Sequence, residues 1–135
     1  MSIRVIKWSE ELSVGIRAFD RDHRNLVEIL NEIAHAIDAG ASPVGIAQLV
    51  NHLADETESH FRREEGFLMG AGYPDAERHR QEHGRLLGEI RAIAVRLAAG
   101  EAVEDGELYE FLRGWLVDHV VTFDKEYVPW ARRSP

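Results

Sequence analysis

Four stretches of the chain repeat apolar residues at the spacing of an α-helix, and each carries at least one histidine inside its apolar stripe. The first stripe is His23, Leu26, Val27, Leu30, Ile33, Ala34 and Ile37. The second runs from Ile46 through Leu53, His60, Phe61 and Glu64 to Leu68. The third holds His79, His83, Leu86, Ile90 and Leu97. The fourth holds Leu108, Leu112, Trp115, Leu116, His119 and Phe123. Gly40 reads as the residue that closes the first helix, and Ser42-Pro43 as the N-cap and first position of the second. Gly70, Gly72 and Pro74 punctuate its end, Gly100 ends the third helix, and Pro129 limits the fourth. Short connections between long helices force neighbours to run antiparallel. The fold class is therefore all-α, an up-down-up-down four-helix bundle.

All 135 residues read as one domain. Residues 1–17 lack a helical period and form an extended N-terminal arm anchored by Trp8, with a short strand as the alternative. Residues 18–127 form the bundle and 128–135 a C-terminal tail. Gly114 falls inside the fourth helix, where it costs about 1 kcal/mol relative to alanine.

A buried imidazole or carboxylate is costly unless it is paired or bound to a metal. His23 lies near the start of helix one, and His60 and Glu64 near the end of helix two. His79 and His83 lie near the start of helix three, and His119 and Asp124 near the end of helix four. In an up-down-up-down bundle these positions share one end, each roughly 6–14 Å in at 1.5 Å per residue. Five imidazoles and two carboxylates are too many for one ion and suit two, with the carboxylates bridging. Mixed nitrogen and oxygen donors without sulfur favour iron or manganese. His35 falls about 120° off the face of His23, and His52 lies two turns from His60; both are structural or solvent-facing. Glu65 is off the seam, on a solvated face. Glu126 shares the face of His119 but lies about 10 Å further along the axis, so Asp124 ranks above it. His119 and Asp124 stand five apart, about 140° on a regular helix. A local π-type turn would bring them together; the alternative is a regular helix with Asp124 reaching around its edge.

Composition removes other classes. The net charge of −8 argues against nucleic acid and anionic membrane surfaces as partners. The lack of cysteine excludes disulfides, thiolate zinc sites and iron–sulfur clusters, and suits a cytoplasmic location. No apolar leader stands at residues 1–12, and no run approaches the ~20 apolar residues of a membrane span.

These motifs resemble those of the hemerythrins, and most closely the single-domain bacterial form. The likeness runs from Trp8 and Asp20-x-x-His23-x-x-Leu26, through His60-Phe61-x-x-Glu64-Glu65 and His79-x-x-x-His83, to Trp115-Leu116-x-x-His119-x-x-x-x-Asp124. The resemblance implies a non-haem di-iron centre with an oxo or hydroxo bridge that binds O2 reversibly. It implies that His79, His83 and His119 bind one iron, His23 and His60 the other, and that Glu64 and Asp124 bridge them. Asp22 departs from the glutamine common at its position and adds charge near the site. Leu26, Phe61, Trp115 and Leu116 are the candidates for an apolar O2 pocket.

That resemblance implies carriage, storage or delivery of O2, with an oxygen-using enzyme as recipient. A di-iron oxidase or peroxidase is the enzymatic alternative. Carboxylate-rich di-iron bundles use four carboxylates and this chain offers two, so binding is favoured over turnover. An oxygen-sensing interaction module is the third reading.

Overall fold

The computed structural model describes residues 6–101 and 105–131. The expected arm residues Ile3 and Val5, and positions 132–135 of the expected tail, lie outside the described residues. Four long helical rods run up, down, up and down. Helix α1 spans Arg17–Asp38, α2 Pro43–Gly70, α3 Ala76–Ala98 and α4 Asp105–His119. The fourth rod continues through a π-turn, Val120–Asp124, into α5, Lys125–Ala131. No strand forms among the described residues, and none of their helices is long and apolar enough to cross a membrane.

The helix ends follow local chemistry. Ser42 Oγ accepts from the Gly45 amide at 3.1 Å while Pro43 fills the first helical position, where no amide is needed. At the C-terminus of α1, the Ala41 amide reaches back to the Ala36 carbonyl and the Gly40 amide to Ile37. That pattern needs a left-handed residue at the turn, and Gly40 supplies it at φ 77°. The same paired closure ends α2 at Gly72 and α3 at Gly100.

The arm has no helical period because it has no helix partner of its own. A single 3-10 turn, Glu10–Leu12, interrupts it. The Asn31 side chain holds its start: the Ile6 amide donates to Asn31 Oδ1 at 2.8 Å, and Asn31 Nδ2 donates to the Ile6 carbonyl at 2.9 Å. Trp8 is half-buried with the Arg24 guanidinium 4.7 Å above its ring. Leu12 and Val14 are buried more deeply and are the stronger anchors.

The core is divided. A large apolar cluster fills most of the bundle, and a small one, built on Val14, Phe19, Leu68, Ala76 and Tyr127, caps one end. In every rod the buried histidines fall between a residue of the large cluster and one of the small cluster. His23 sits between Leu26 and Phe19, and His119 and Asp124 between Leu116 and Tyr127. The polar site is thus enclosed on both sides along the bundle axis.

The tail expected from residue 128 is instead helical through Ala131, with Pro129 inside the last turn. Packing overrides the proline. Tyr127 is fully buried, and Trp130 lies 5.5 Å from the Tyr73 ring.

Asn31→Ala should loosen the arm. Losing two hydrogen bonds should cost about 1–2 kcal/mol in chemical denaturation and speed proteolytic cleavage within residues 6–16. Unchanged stability and cleavage would mean that Leu12 and Val14 hold the arm by themselves.

Candidate metal centre

The seven side chains predicted as ligands converge. His23, His60, Glu64, His79, His83, His119 and Asp124 are all 5% exposed or less. Their donor atoms form two groups, each with its atoms within 4.8 Å of one another: Glu64, His79, His83, His119 and Asp124 in one, and His23, His60, Glu64 and Asp124 in the other. The two carboxylates belong to both groups. His35 and His52 are exposed and stand apart. Glu126 is 43% exposed and faces Arg78, 3.8 Å away.

The π-turn brings Asp124 in. Its wider winding carries Asp124 from about 140° off the face of His119 toward it. His119 Nε2 lies 3.0 Å from Asp124 Oδ1. Val120, Val121 and Thr122 occupy the turn, and their branched side chains weaken the regular α alternative.

Three of the imidazoles are oriented from behind. His23 Nδ1 donates to the Leu12 carbonyl at 3.0 Å, so the arm itself fixes this ring. His60 Nδ1 donates to Asp22 Oδ2 at 2.9 Å, and Arg63 grips the same carboxylate at 2.8 and 3.0 Å. His83 Nδ1 donates to Glu65 Oε2 at 2.8 Å. Glu65 is therefore not a solvated face residue: the long α2–α3 contact brings His83 across to it. With Nδ1 committed as donor, each neutral ring presents an Nε2 lone pair to the centre. His23 Nε2 faces His60 Nε2 at 3.2 Å, and His83 Nε2 faces His119 Nε2 at 3.2 Å. Two ring nitrogens that close need a proton or a cation between them.

The carboxylates sharpen this conflict. His79 Nε2 donates to Glu64 Oε1 at 2.7 Å. The Asp124 oxygens lie 3.0–3.2 Å from Nε2 of His23, His79 and His119, yet none makes a well-formed hydrogen bond to them. Burial alone would raise both carboxyls. The surrounding imidazoles outweigh it and hold Glu64 and Asp124 well below the usual range. Burial opposes charge on His60, but hydrogen bonds to Asp22 and Glu64 and the nearby carboxylate charges raise it to about 9. Burial likewise opposes charge on His79, while Asp124 and Glu64 raise it to about 9. Asp22 is held near 2: burial pushes it up, but His60 and Arg63 bring it down.

A small cavity, about 10 Å3, adjoins the centre, at the threshold for one water-sized molecule. All four predicted pocket residues, Leu26, Phe61, Trp115 and Leu116, line it, joined by Leu86 and Val120. It borders His23, His60, His119 and Asp124, but neither His79 nor His83.

Sequence reasoning passed over Tyr127. Its hydroxyl donates to Glu64 Oε2 at 3.0 Å, deep in the site. Burial and the charges of Glu64 and Asp124 push its ionisation far upward, so it stays a neutral donor. The available signal was its place three residues after Asp124, on the same side of the helix.

The chain is similar to known proteins in both sequence and fold. The sequence profile of the family described as "Hemerythrin HHE cation binding domain" matches residues 14–131. A bacteriohemerythrin of Pseudomonas aeruginosa is 35% identical over 127 residues, covering 94% of this chain and 82% of its own length. One from Ralstonia nicotianae is 31% identical, covering 97% and 93%. A crystal structure of wild-type hemerythrin superposes with a TM-score of 0.83 at 28% identity, covering 93% of this chain and 97% of that one.

The electrostatics give a pH signature. Without metal, the raised His60 and His79 add stability that is complete below their ordinary value of 6.5 and lost as pH rises through about 9. The lowered Glu64 and Asp124 add stability that is present above their ordinary values, 4.5 and 3.8, and lost as pH falls below them. Metal-stripped protein should therefore have its highest Tm between those limits and lose roughly several degrees by pH 9.5. Bound metal replaces the protons, so the loaded protein should show no such fall. A stripped-protein Tm that rises from pH 6.5 to 9.5 would contradict the charge assignment.

Proposed function

The chain belongs to the hemerythrin family, and from that premise we propose that it binds O2 reversibly at two iron ions, for carriage, storage or delivery, and does not turn over a substrate. The observation that carries this reading is the sharing of Glu64 and Asp124 between two otherwise separate donor groups. The residues fit the ions: the Nε2 atoms of His23 and His60, and of His83 and His119, converge at 3.2 Å, and both Asp124 oxygens are buried without a hydrogen-bond donor, so a cation at the centre of each group would satisfy them. His79, His83 and His119 would hold one ion, His23 and His60 the other, with Glu64 and Asp124 spanning both.

Bound iron supplies the electrons for reversible O2 binding; the chain supplies the setting. The histidines are unevenly divided, three against two, which leaves the His23–His60 side with fewer protein donors. The cavity borders both histidines of that side and, of the other three, His119 alone. Leu26, Phe61, Trp115 and Leu116 exclude water there, which would slow proton delivery and the irreversible oxidation that follows it. Asp22, Glu65 and the Leu12 carbonyl fix the rings, so they need not reorganise on binding. The Tyr127 hydroxyl donates to Glu64 Oε2 and orients that carboxylate. With two carboxylates and five neutral ligands, the set donates less charge than carboxylate-rich di-iron enzymes do, which favours binding over oxygen activation.

Iron analysis should give two ions per chain. His79→Ala should lose much of that iron, by at least about tenfold in affinity, whereas His52→Ala should keep it. One iron per chain, or zinc taken up in preference during growth in iron-rich medium, would contradict the ligand assignment.

Optical titration of the reduced protein with O2 should produce a visible absorption band that vanishes on degassing and returns with fresh O2. Sustained O2 consumption with added reductant would instead indicate an oxidase. Leu116→Ala should shorten the lifetime of the oxygenated protein; an unchanged lifetime would remove Leu116 from the water-excluding wall.

A further inference from the structure

The four sides of the bundle are not equally closed. The backbones of α2 and α3 run closest, followed by α1 and α2, while α3 and α4 stand further apart. A surface groove follows that open seam. Its lower stretch lies over Leu86, Trp115 and His119, and its upper stretch over Ile93 and Leu108; Glu89 and Phe111 belong to both stretches, so the two are continuous.

The groove has an apolar floor and an acidic rim. Phe111 is 39% exposed in its middle, while Leu86, Trp115 and Leu108 beneath it are buried. Five carboxylates line the groove, Glu82, Glu89, Glu107, Glu110 and Asp118, against two guanidiniums. Both guanidiniums are occupied. Arg85 is bound by Glu82 and Glu89, and Arg96 by Glu101 at 2.9 Å. Glu110 and Asp118 face the groove with no cationic partner among the described residues.

We infer that the α3–α4 groove is a docking surface for a basic amphipathic helix of a partner protein. The floor accepts an apolar stripe, and the rim accepts lysine or arginine heads whose aliphatic stems lie across Phe111. The groove follows α3 from residue 82 to 96, about 21 Å at 1.5 Å per residue, which matches a helix of about four turns. Charge complementarity selects the sign of the partner, since an acidic helix would meet Glu107, Glu110 and Asp118, none of them in an ion pair among the described residues. The location gives the surface a link to the interior. Leu86, Trp115 and His119 line both the groove and the buried cavity, and Trp115 Nε1 donates to the Leu86 carbonyl at 3.0 Å. A docked helix would rest one side chain away from the site.

The probe is a synthetic 14-residue peptide of leucine and lysine at helical spacing, titrated into the 15N-labelled full chain, with a lysine–serine peptide of equal charge as comparison. Backbone shifts should concentrate on α3 and α4. The Glu110→Lys/Asp118→Lys double variant should weaken binding by at least about tenfold, Phe111→Ala by several-fold, and Glu28→Lys/Glu32→Lys on the exposed face of α1 by less than about threefold. The lysine–serine peptide should bind far more weakly than the amphipathic one. Shifts centred elsewhere, equal weakening by both charge reversals, or equal binding of the two peptides would overturn the inference. Should a reversal variant fail to fold, Phe111→Ala and the peptide comparison decide it: no loss in either overturns it.

Discussion

Two carboxylates, Glu64 and Asp124, are buried completely in one pocket with no lysine or arginine beside either among the described residues. Isolated ionised carboxylates in such surroundings would be prohibitively unstable. Everything around them answers that constraint. Five imidazoles and one tyrosine hydroxyl supply the compensating dipoles and protons, and each imidazole is a group that can exchange a proton for a metal ion. A guanidinium in their place would neutralise the carboxylates permanently and leave no site. The choice of histidine therefore converts an electrostatic cost into a binding function.

The bundle is arranged to hold that pocket closed. Apolar clusters lie on both sides of it along the axis, so the polar layer is shielded from solvent without being part of a continuous polar channel. Two local departures from a plain bundle bring it to completion. The π-turn gives up regular α geometry to place Asp124 opposite His119. The arm gives up secondary structure over most of its length, but its Leu12 carbonyl orients His23 and its Val14 amide is tied to Asp20 at 2.7 Å. Local irregularity is concentrated where the site needs it.

What the sequence made legible follows physical period. Helix ends, stripe faces and the shared depth of the ligands came from spacing alone, because the bundle converts position along a helix into height. The five-residue step from His119 to Asp124 pointed to a π-turn or to Asp124 reaching around the edge of a regular helix, and the structure takes the first. Contacts that cross between rods were less legible. Glu65 looked solvent-facing from its own helix, yet α3 brings His83 to it. Asp22 registered as extra charge, but its grip on His60 and Arg63 depends on how α1 meets α2. Tyr127 lay past the expected last ligand and beside Pro129, and its burial depends on the small end cluster. Side-chain partners are set by the relative rotation of two helices, which a single-helix period does not encode.

The central claim is that two ions sit side by side, joined through Glu64 and Asp124. Anomalous diffraction at the iron absorption edge, on crystals of the iron-loaded protein, tests it most directly. The account predicts two peaks within the bundle, one against His79, His83 and His119 and one against His23 and His60, with both carboxylates touching both. A single peak, or a second peak held by Glu126 or Glu65 with Asp124 turned away, would contradict it.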